Sequence, residues 1–123
     1  MSLSRTRTLD PATARAVEAF LAKASARLPV EDGILFGSRA RGTARHDSDA
    51  DVAIILRGPR EPFVQTKLEM ADLAFDAMLE TGVLIQPLPI WGSEWNNPDS
   101  WSNPELLHNV KQSGIRVWLS LQT

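Results

Sequence analysis

The chain has 123 residues, of which 43% are hydrophobic and 23% charged, and its formal net charge at pH 7 is −2. A chain of this length and composition is expected to fold as one globular domain spanning residues 1–123. Because it contains no cysteine, disulfides, thiol nucleophiles and zinc–thiolate sites are excluded. Any catalysis must therefore use carboxylates, hydroxyls or histidine.

The distribution of charged and apolar residues bears on partners and location. Residues 1–46 carry eight basic and four acidic groups, whereas residues 47–123 carry five basic and eleven acidic groups. This distribution does not indicate the uniform basic face of a protein that binds duplex DNA. Apolar runs are far shorter than the roughly 20 residues that span a bilayer, and the amino terminus lacks the apolar stretch of a signal peptide. We therefore expect a cytoplasmic protein with no membrane partner.

The first half of the chain reads as a helix followed by two strands. An Asp-Pro pair at residue 10 is a helix-start signal, and the apolar spacing after it predicts an amphipathic helix over residues 11–27. Residues 33–37 form a short apolar run between glycines, which is typical of a buried strand that ends in a tight turn. Residues 49–56 predict a second strand that begins with acidic residues and ends with apolar ones.

The second half predicts a long helix, a strand and a short helix. The long helix is expected from about Pro62 to the capping Gly82. Its sheet-facing side is expected to consist of Val64, Leu68, Ala71, Phe75 and Met78 or Leu79. Residues 83–90 predict a strand whose two prolines confine its second half to a sheet edge or lead it out of the sheet. A long loop over residues 91–104, a helix over about residues 105–112 and a final apolar piece of undetermined type follow.

Three familiar phosphate or metal motifs can be tested against the glycine-rich and acidic stretch at residues 37–51. A P-loop is excluded, because Thr43 stands where that motif has its lysine. A calcium-binding EF-hand loop is excluded, because Val52 and Gly58 stand where it needs glycine and glutamate. The dinucleotide-binding pattern Gly-x-Gly-x-x-Gly does not occur in the chain.

What remains is a pair of carboxylates two residues apart on a predicted strand. Because strand side chains alternate, Asp49 and Asp51 are expected on the same face with their Cα atoms roughly 6.6 Å apart, and Asp47 is expected before the strand. Two Mg²⁺ ions held by shared carboxylates are a recurrent device for displacement at phosphorus. Upstream, Gly37 leaves room for a phosphate, and Ser38 offers a hydroxyl and a backbone N–H at a predicted helix start.

Taken together, residues 37–42 and 48–52 resemble the Gly-Ser and Asp-x-Asp signature of the DNA polymerase β-like nucleotidyltransferase superfamily, specifically its minimal nucleotidyltransferase branch. The resemblance implies that residues 1–123 form one nucleotidyltransferase domain, with an α/β (α+β) fold in which a small mixed sheet is flanked by helices. It also implies particular roles at the site. Gly37, Ser38 and Arg41 would bind the nucleotide, and Asp49 and Asp51 would be the catalytic residues and the ligands of Mg²⁺.

The same resemblance implies a substrate and a partner. Minimal nucleotidyltransferases are commonly paired with a small helical HEPN-type protein as antitoxin and toxin, and members of the branch transfer AMP from ATP to a tyrosine of the toxin. We therefore expect a nucleoside triphosphate as donor and a HEPN-type protein as acceptor. The short chain leaves little room beyond a nucleotide-binding core, so the acceptor is expected to be a macromolecule, with tRNA or another protein as alternatives to the toxin.

One departure from the family pattern leaves two functions open. The superfamily usually has a third carboxylate on the next core strand, but residues 83–88 contain no acid, so Leu84 or Gln86 takes that position. Glu94 in the following loop is the nearest acid in sequence and is a candidate substitute. The chain is then either an Mg²⁺-dependent transferase that is slow or takes its base from the acceptor, or a catalytically impaired module that neutralises its partner by masking it.

The remaining polar and aromatic residues allow simpler interpretations. Arg39, Arg41 and Arg45 fit a solvated loop about as well as a phosphate site, and only the family pattern favours Arg41. His46 and His108 lack partners at ligand spacing and are expected to be ordinary surface or partly buried residues. The four tryptophans are expected to pack, although the three in the loop could line a partner surface; they are Trp91, Trp95, Trp101 and Trp118.

Overall fold

The computed structural model of the protein describes residues 10–45, 47–58, 63–97, 99, 101 and 103–117. Its helices are α1 (Pro11–Ser25), α2 (Ser38–Arg41), α3 (Phe63–Thr81), α4 (Gly92–Trp95) and α5 (Pro104–Ser113), and its strands are β1 (Val30–Phe36), β2 (Ala50–Leu56), β3 (Ile85–Trp91) and β4 (Ile115–Arg116). The predicted fold class, a small mixed sheet flanked by helices, is confirmed. The expectations for Pro62, His46 and Trp118 lie outside the described residues.

The four strands form one sheet in the order β3-β2-β1-β4. β1 runs antiparallel to both β2 and β4, whereas β2 and β3 are parallel. A parallel pair needs a crossover connection, which α3 provides between these two strands. β3 has one neighbour in the sheet, so Pro87 and Pro89 sit on an edge strand, where a missing N–H is tolerated. The predicted edge position is therefore confirmed, and the prolines stay within the strand.

Alternation along the strands divides the core into two apolar layers. On one face, strand residues such as Leu35, Val52 and Ile54 pack with α1 and α3. On the other face, residues such as Ile34 and Ile55 pack with α5. Because both faces of the sheet are covered at its centre, the second half of β1 and most of β2 are nearly continuous apolar runs. The resulting rigid centre holds the ends of β1 and β2, where the polar motifs are found.

The structure corrects the sheet-facing side of α3. The residues of α3 that are buried in the core are Met70, Leu73, Ala74 and Ala77. Of the residues predicted to face the sheet, Met78 is partly buried and Ala71 is exposed. The large side chains Val64, Leu68, Phe75 and Leu79 are between 53% and 69% exposed. The helix carries two apolar stripes, and the sheet and α1 take the one made of smaller side chains and Met70. The second stripe is uncovered within the described part of the chain.

The helix and strand limits otherwise follow local sequence signals. Asp10 caps α1, since its carboxylate accepts from the backbone N–H of Thr13 at 3.1 Å. The predicted loop at residues 91–104 contains the short helix α4, and part of the final apolar piece forms β4 against β1. None of the described helices is both long and apolar enough to cross a bilayer.

Candidate active site at the Gly37 turn and the Asp49–Asp51 pair

The chain turns sharply where β1 ends and α2 begins. Gly37 has a φ of +76° and a ψ of −157°, a combination that residues with a Cβ essentially never adopt. Its carbonyl oxygen accepts from the backbone N–H groups of Ala40 and Arg41 at 3.1 Å, which starts the single turn of α2 at Ser38. Gly42 ends that turn with a φ of +77°. The predicted helix start at Ser38 is confirmed, and Ser38 is only partly buried.

The carboxylate of Asp51 lies directly against Gly37. Asp51 pairs with Phe36 on β1 and with Gln86 on β3, so its strand lies between the other two at this level. A methyl group placed on Gly37 would overlap Oδ2 of Asp51. Because residue 37 has no side chain, the backbone of the turn can contact the carboxylate. Sequence spacing alone does not predict that this contact requires glycine.

Asp49 lies close enough to Asp51 to affect the pKa of Asp51. Asp49 comes just before β2, whereas the sequence predicts it as the first residue of the strand. Burial raises the pKa of Asp51 above its ordinary value, the neighbouring charge of Asp49 raises it further, and Arg41 lowers it. Two carboxylates that repel each other in a partly buried position form a site that a cation would stabilise. Arg41 is exposed, and its charge is directed to the same place.

Gln86 occupies the place where the family resemblance leads us to expect a third acid. It pairs with Asp51 across the parallel strands, and its Nε2 donates a hydrogen bond of 2.9 Å to Oδ2 of Asp49. Leu84 precedes β3, and its carbonyl oxygen accepts from the N–H of Ala50 at 2.9 Å. Of the two candidates for this position, the structure places Gln86 in contact with the aspartate pair.

Glu94 does not substitute for the missing acid. It is on α4, beyond the opposite end of β3 from Gln86, and only 8% exposed. Its Oε1 accepts from the backbone N–H of Trp91 at 3.1 Å, so it caps α4. The hypothesis that Glu94 reaches the aspartates is therefore wrong, because Glu94 caps the helix at one end of β3 and Gln86 lies beside the aspartates at the other end.

Arg39 has a structural role that the sequence did not indicate. Its side chain is only 6% exposed, and Nε and Nη2 donate to the carbonyl oxygen of Ser48 at 2.9 and 2.7 Å. Nη1 donates to Oγ1 of Thr13 at 2.7 Å. Arg39 thus joins α2, the start of α1 and the residue preceding Asp49. Spacing cannot distinguish such a buried arginine from a solvated one, and Arg45 has an exposed side chain.

The other sequence candidates lie away from this site. His108 is exposed, with its Nε2 3.8 Å from Oδ1 of Asp99, as expected of a surface residue. Trp91 is buried, and Trp95 and Trp101 pack against the second core layer. These three tryptophans are packing residues, which confirms their simpler interpretation.

The residues present suit a hard divalent cation with an incomplete protein shell. Within the described ranges, no group of three or more acidic, histidine or cysteine side chains could enclose a metal ion. Two adjacent carboxylates leave most coordination positions to water and to phosphate oxygens, which is how Mg²⁺ is commonly bound beside nucleotides. The two carboxylates of Asp49 and Asp51 are therefore compatible with Mg²⁺ when water or phosphate oxygens supply the other ligands.

Comparison with known proteins agrees with this geometry. A family model described as the nucleotidyltransferase domain matches residues 17–87, which include the turn, both aspartates and Gln86. The fold is similar to that of an inferred nucleotidyltransferase from Sulfolobus solfataricus, with a TM-score of 0.53 and 16% identity over 85% of this chain and 81% of that one. No curated protein sequence matches the chain. Because the family model covers more than half of its length, the chain belongs to the nucleotidyltransferase domain family.

Proposed function

We propose that the chain transfers AMP from ATP, with Mg²⁺, to a tyrosine hydroxyl of a small helical HEPN-type partner, and that this modification makes it an antitoxin. Membership of the nucleotidyltransferase family supports nucleotidyl transfer as the reaction. The observation that carries the proposal is the contact between the side-chain-free turn at Gly37 and the carboxylate of Asp51. This contact supports the proposal because it joins the turn that would bind the triphosphate to a carboxylate that would bind the metal.

Each part of the site has a separate task in this proposal. The turn at Gly37 and Ser38 binds the triphosphate through backbone N–H groups and the serine hydroxyl, and Arg41 adds positive charge beside it. Asp49 and Asp51 hold Mg²⁺, which would neutralise charge on the attacking and leaving oxygens. The hydroxyl oxygen of the acceptor forms a bond to the α-phosphorus while the bond from that phosphorus to the bridging oxygen breaks. Pyrophosphate leaves, and the hydroxyl proton passes to solvent or to a base of the acceptor.

Gln86 favours a second candidate, in which the chain binds its partner without modifying it. An amide cannot take the proton of the attacking hydroxyl, and a positioned base contributes about 10²–10⁴-fold to such a reaction. The hydrogen bond from Gln86 stabilises the carboxylate of Asp49, whereas an acid at position 86 would repel it. The masking function therefore follows if the transfer step is lost, whereas slow transfer follows if the acceptor supplies the base.

Installing an acid at position 86 distinguishes the two candidates. In Gln86→Asp, the new carboxylate would restore a base beside Asp51, so we expect AMP transfer to increase by about 10²-fold or more. Leu84→Asp is the matched control, because Leu84 precedes the strand and should give no increase. The measurement is the intact mass of a co-expressed HEPN-type partner after incubation with ATP and Mg²⁺. A stable complex without any AMP adduct, in wild type and in Gln86→Asp alike, would favour the masking function.

A further inference from the structure

The exposed side of α3 is unusually apolar for a surface helix. We call the residues Val64, Leu68, Ala71, Phe75 and Leu79 the α3 stripe. They recur at intervals of three or four residues and therefore form one continuous row along the helix. The four large members are 53–69% exposed, and they are the large exposed hydrophobic residues of the described chain. A row of this kind on a soluble protein marks a surface that another molecule covers.

The opposite side of α3 is the one that packs into the core. Met70, Leu73, Ala74 and Ala77 fill the core against the sheet and α1. Lys23 of α1 also forms an ion pair with Glu80 at 2.5 Å, which fixes the helix from the side. The α3 stripe is therefore not a core face that has failed to pack. It is a second apolar row on a helix whose first row is buried.

The charges beside the α3 stripe indicate the chemistry of its occupant. At 100° per residue, Asp72 and Asp76 border the stripe on one side, with Glu69 beyond them, and both aspartates are exposed. Within the described residues, neither aspartate is part of an ion pair. α3 contains four acidic residues and one lysine in all. Lysine or arginine residues at the edge of a partner's apolar face would meet this acidic border.

A second copy of the chain that packs antiparallel on the α3 stripe matches this border poorly. When two identical helices pack antiparallel about a two-fold axis, the same edge of each helix meets its own copy. The acidic borders of the two stripes would then face each other, and like charges at an interface disfavour association. A helix from another protein, with cations on the matching edge, has no such conflict.

We propose that the α3 stripe is the docking surface for an amphipathic helix of a partner protein, whose apolar face is bordered by lysine or arginine residues. The helix would lie along α3 with its apolar residues on Leu68 and Phe75 and its cations on Asp72 and Asp76. This assignment rests on the proposed function only in taking the docked helix to belong to the acceptor. Docking on α3 would hold the acceptor by a surface that the triphosphate turn does not use.

Binding of two synthetic helices tests the proposal. Both peptides are about 18 residues long and have the same leucine face, but one has lysine and the other glutamate along its edge. We expect the lysine peptide to bind the wild-type chain at least about tenfold more tightly than the glutamate peptide in calorimetry at low salt. Leu68→Gln/Phe75→Gln should weaken the lysine peptide by about tenfold or more, because it removes two exposed anchors without touching the core.

Matched variants separate the apolar and the electrostatic parts. Asp72→Asn/Asp76→Asn should reduce the preference for lysine over glutamate, whereas Glu105→Gln, which removes an exposed acid on α5, should leave both affinities unchanged. Equal binding of the two peptides, or binding that the stripe variant does not weaken, would overturn the proposal. A wild-type dimer in sedimentation that Leu68→Gln/Phe75→Gln dissociates would also overturn it, because a second copy would then cover the stripe. So would binding of the lysine peptide only after residues 118–123 are deleted, because that segment would then be the occupant.

The same experiment separates docking from catalysis. Asp49 lies outside α3, and docking needs no metal or nucleotide. The Asp49→Asn variant should therefore bind the lysine peptide as the wild type does. Normal binding of the lysine peptide together with no AMP transfer to a HEPN-type partner would contradict the proposed function and support the docking surface. Transfer that persists in Leu68→Gln/Phe75→Gln at wild-type KM for the partner would contradict the docking surface and support the proposed function.

Discussion

Gly37 is the residue at which backbone conformation and site chemistry depend most directly on each other. We expect Gly37→Ala to lower the free energy of unfolding by about 2 kcal/mol or more. The conformation of residue 37 is almost restricted to glycine, and the added Cβ would overlap the carboxylate of Asp51. Gly42→Ala is the comparison, since it has the same sign of φ but open space around the new methyl group. Its cost should be about 1 kcal/mol. Urea denaturation measures both.

The overlap and the backbone strain can be separated by a second substitution. In an Asp51→Ala background, Gly37→Ala should cost less than it does in wild type, because the carboxylate that it meets is gone. The same background should leave the cost of Gly42→Ala unchanged. An identical cost of Gly37→Ala in the two backgrounds would show that Asp51 does not lie against the turn.

The aspartate pair should make stability depend on magnesium and nucleotide. Millimolar Mg²⁺ with ATP is expected to raise the melting temperature of the wild type by several degrees through binding to the folded state. Asp49→Asn/Asp51→Asn should lose this shift, whereas Asp47→Asn, an exposed acid just before the pair, should keep it. Without Mg²⁺ at neutral pH, Asp51→Asn should be slightly more stable than wild type, since burial and Asp49 disfavour the ionised carboxyl. Equal shifts in all variants would place the cation elsewhere.

At the residue scale, the sequence predicted the candidate site residues but not all of their contacts. The Gly37-Ser38 and Asp49-Asp51 segments were found by spacing, because the turn and the strand start each have a short local signature. The position of Gln86 beside Asp51 depends on the register between β2 and β3, which are separated along the chain by α3. A register set by distant packing has no local signature, so Leu84 and Gln86 could not be distinguished.

Arg39 shows how one side chain connects three elements near the site. Arg39→Ala removes three charge-assisted hydrogen bonds from a nearly buried position, so we expect a loss of about 2–3 kcal/mol of unfolding free energy. Arg45→Ala, at an exposed neighbouring arginine, should change stability by less than about 0.5 kcal/mol. Hydrogen exchange supplies the local measurement. Faster exchange in residues 47–50 of Arg39→Ala is expected, and unchanged exchange there would contradict the assigned role.

The helices illustrate what periodicity can and cannot determine. α1 has one apolar stripe, and this stripe is buried, with Val17, Phe20 and Leu21 in the core. α3 has two, and the larger side chains of the exposed stripe made it the natural prediction for the core. Periodicity reports how many apolar faces a helix has, but the shape of the sheet and of α1 decides which face fits. The small residues Ala74 and Ala77 allow α3 to lie close to both.

For the molecule as a whole, the sequence predicted the order of elements and the edge position of β3 because helices, buried strands and prolines each leave a local pattern. It did not predict that β4 pairs with β1 at the other edge. That pairing joins two segments about 80 residues apart, and a two-residue strand has no periodicity to detect. The contact that accompanies it is an ion pair between Asp32 of β1 and Arg116 of β4, with Nε and Oδ2 2.6 Å apart.

This ion pair should make the stability of the protein depend on pH. Burial raises the pKa of Asp32 above its ordinary value of 3.8, and Arg116 lowers it. Arg116→Gln removes the lowering charge, so the pKa of Asp32 rises further and its ionised form becomes costly in the folded state. The folded state then holds a proton that the unfolded state has lost, and unfolding free energy falls as pH rises from 3.8 through the folded pKa. The variant should be less stable than wild type by about 1–3 kcal/mol at pH 7 and by less at pH 4.5.

The double variant Asp32→Asn/Arg116→Gln is the matched control for that measurement. It removes both charges and with them the titrating carboxyl of Asp32, so its stability relative to wild type should vary less between pH 4.5 and pH 7 than that of Arg116→Gln. Urea denaturation at the two pH values gives both differences. A deficit of Arg116→Gln that is the same at pH 4.5 and pH 7 would mean that the residue supports the β1–β4 edge by packing and not by its charge on Asp32.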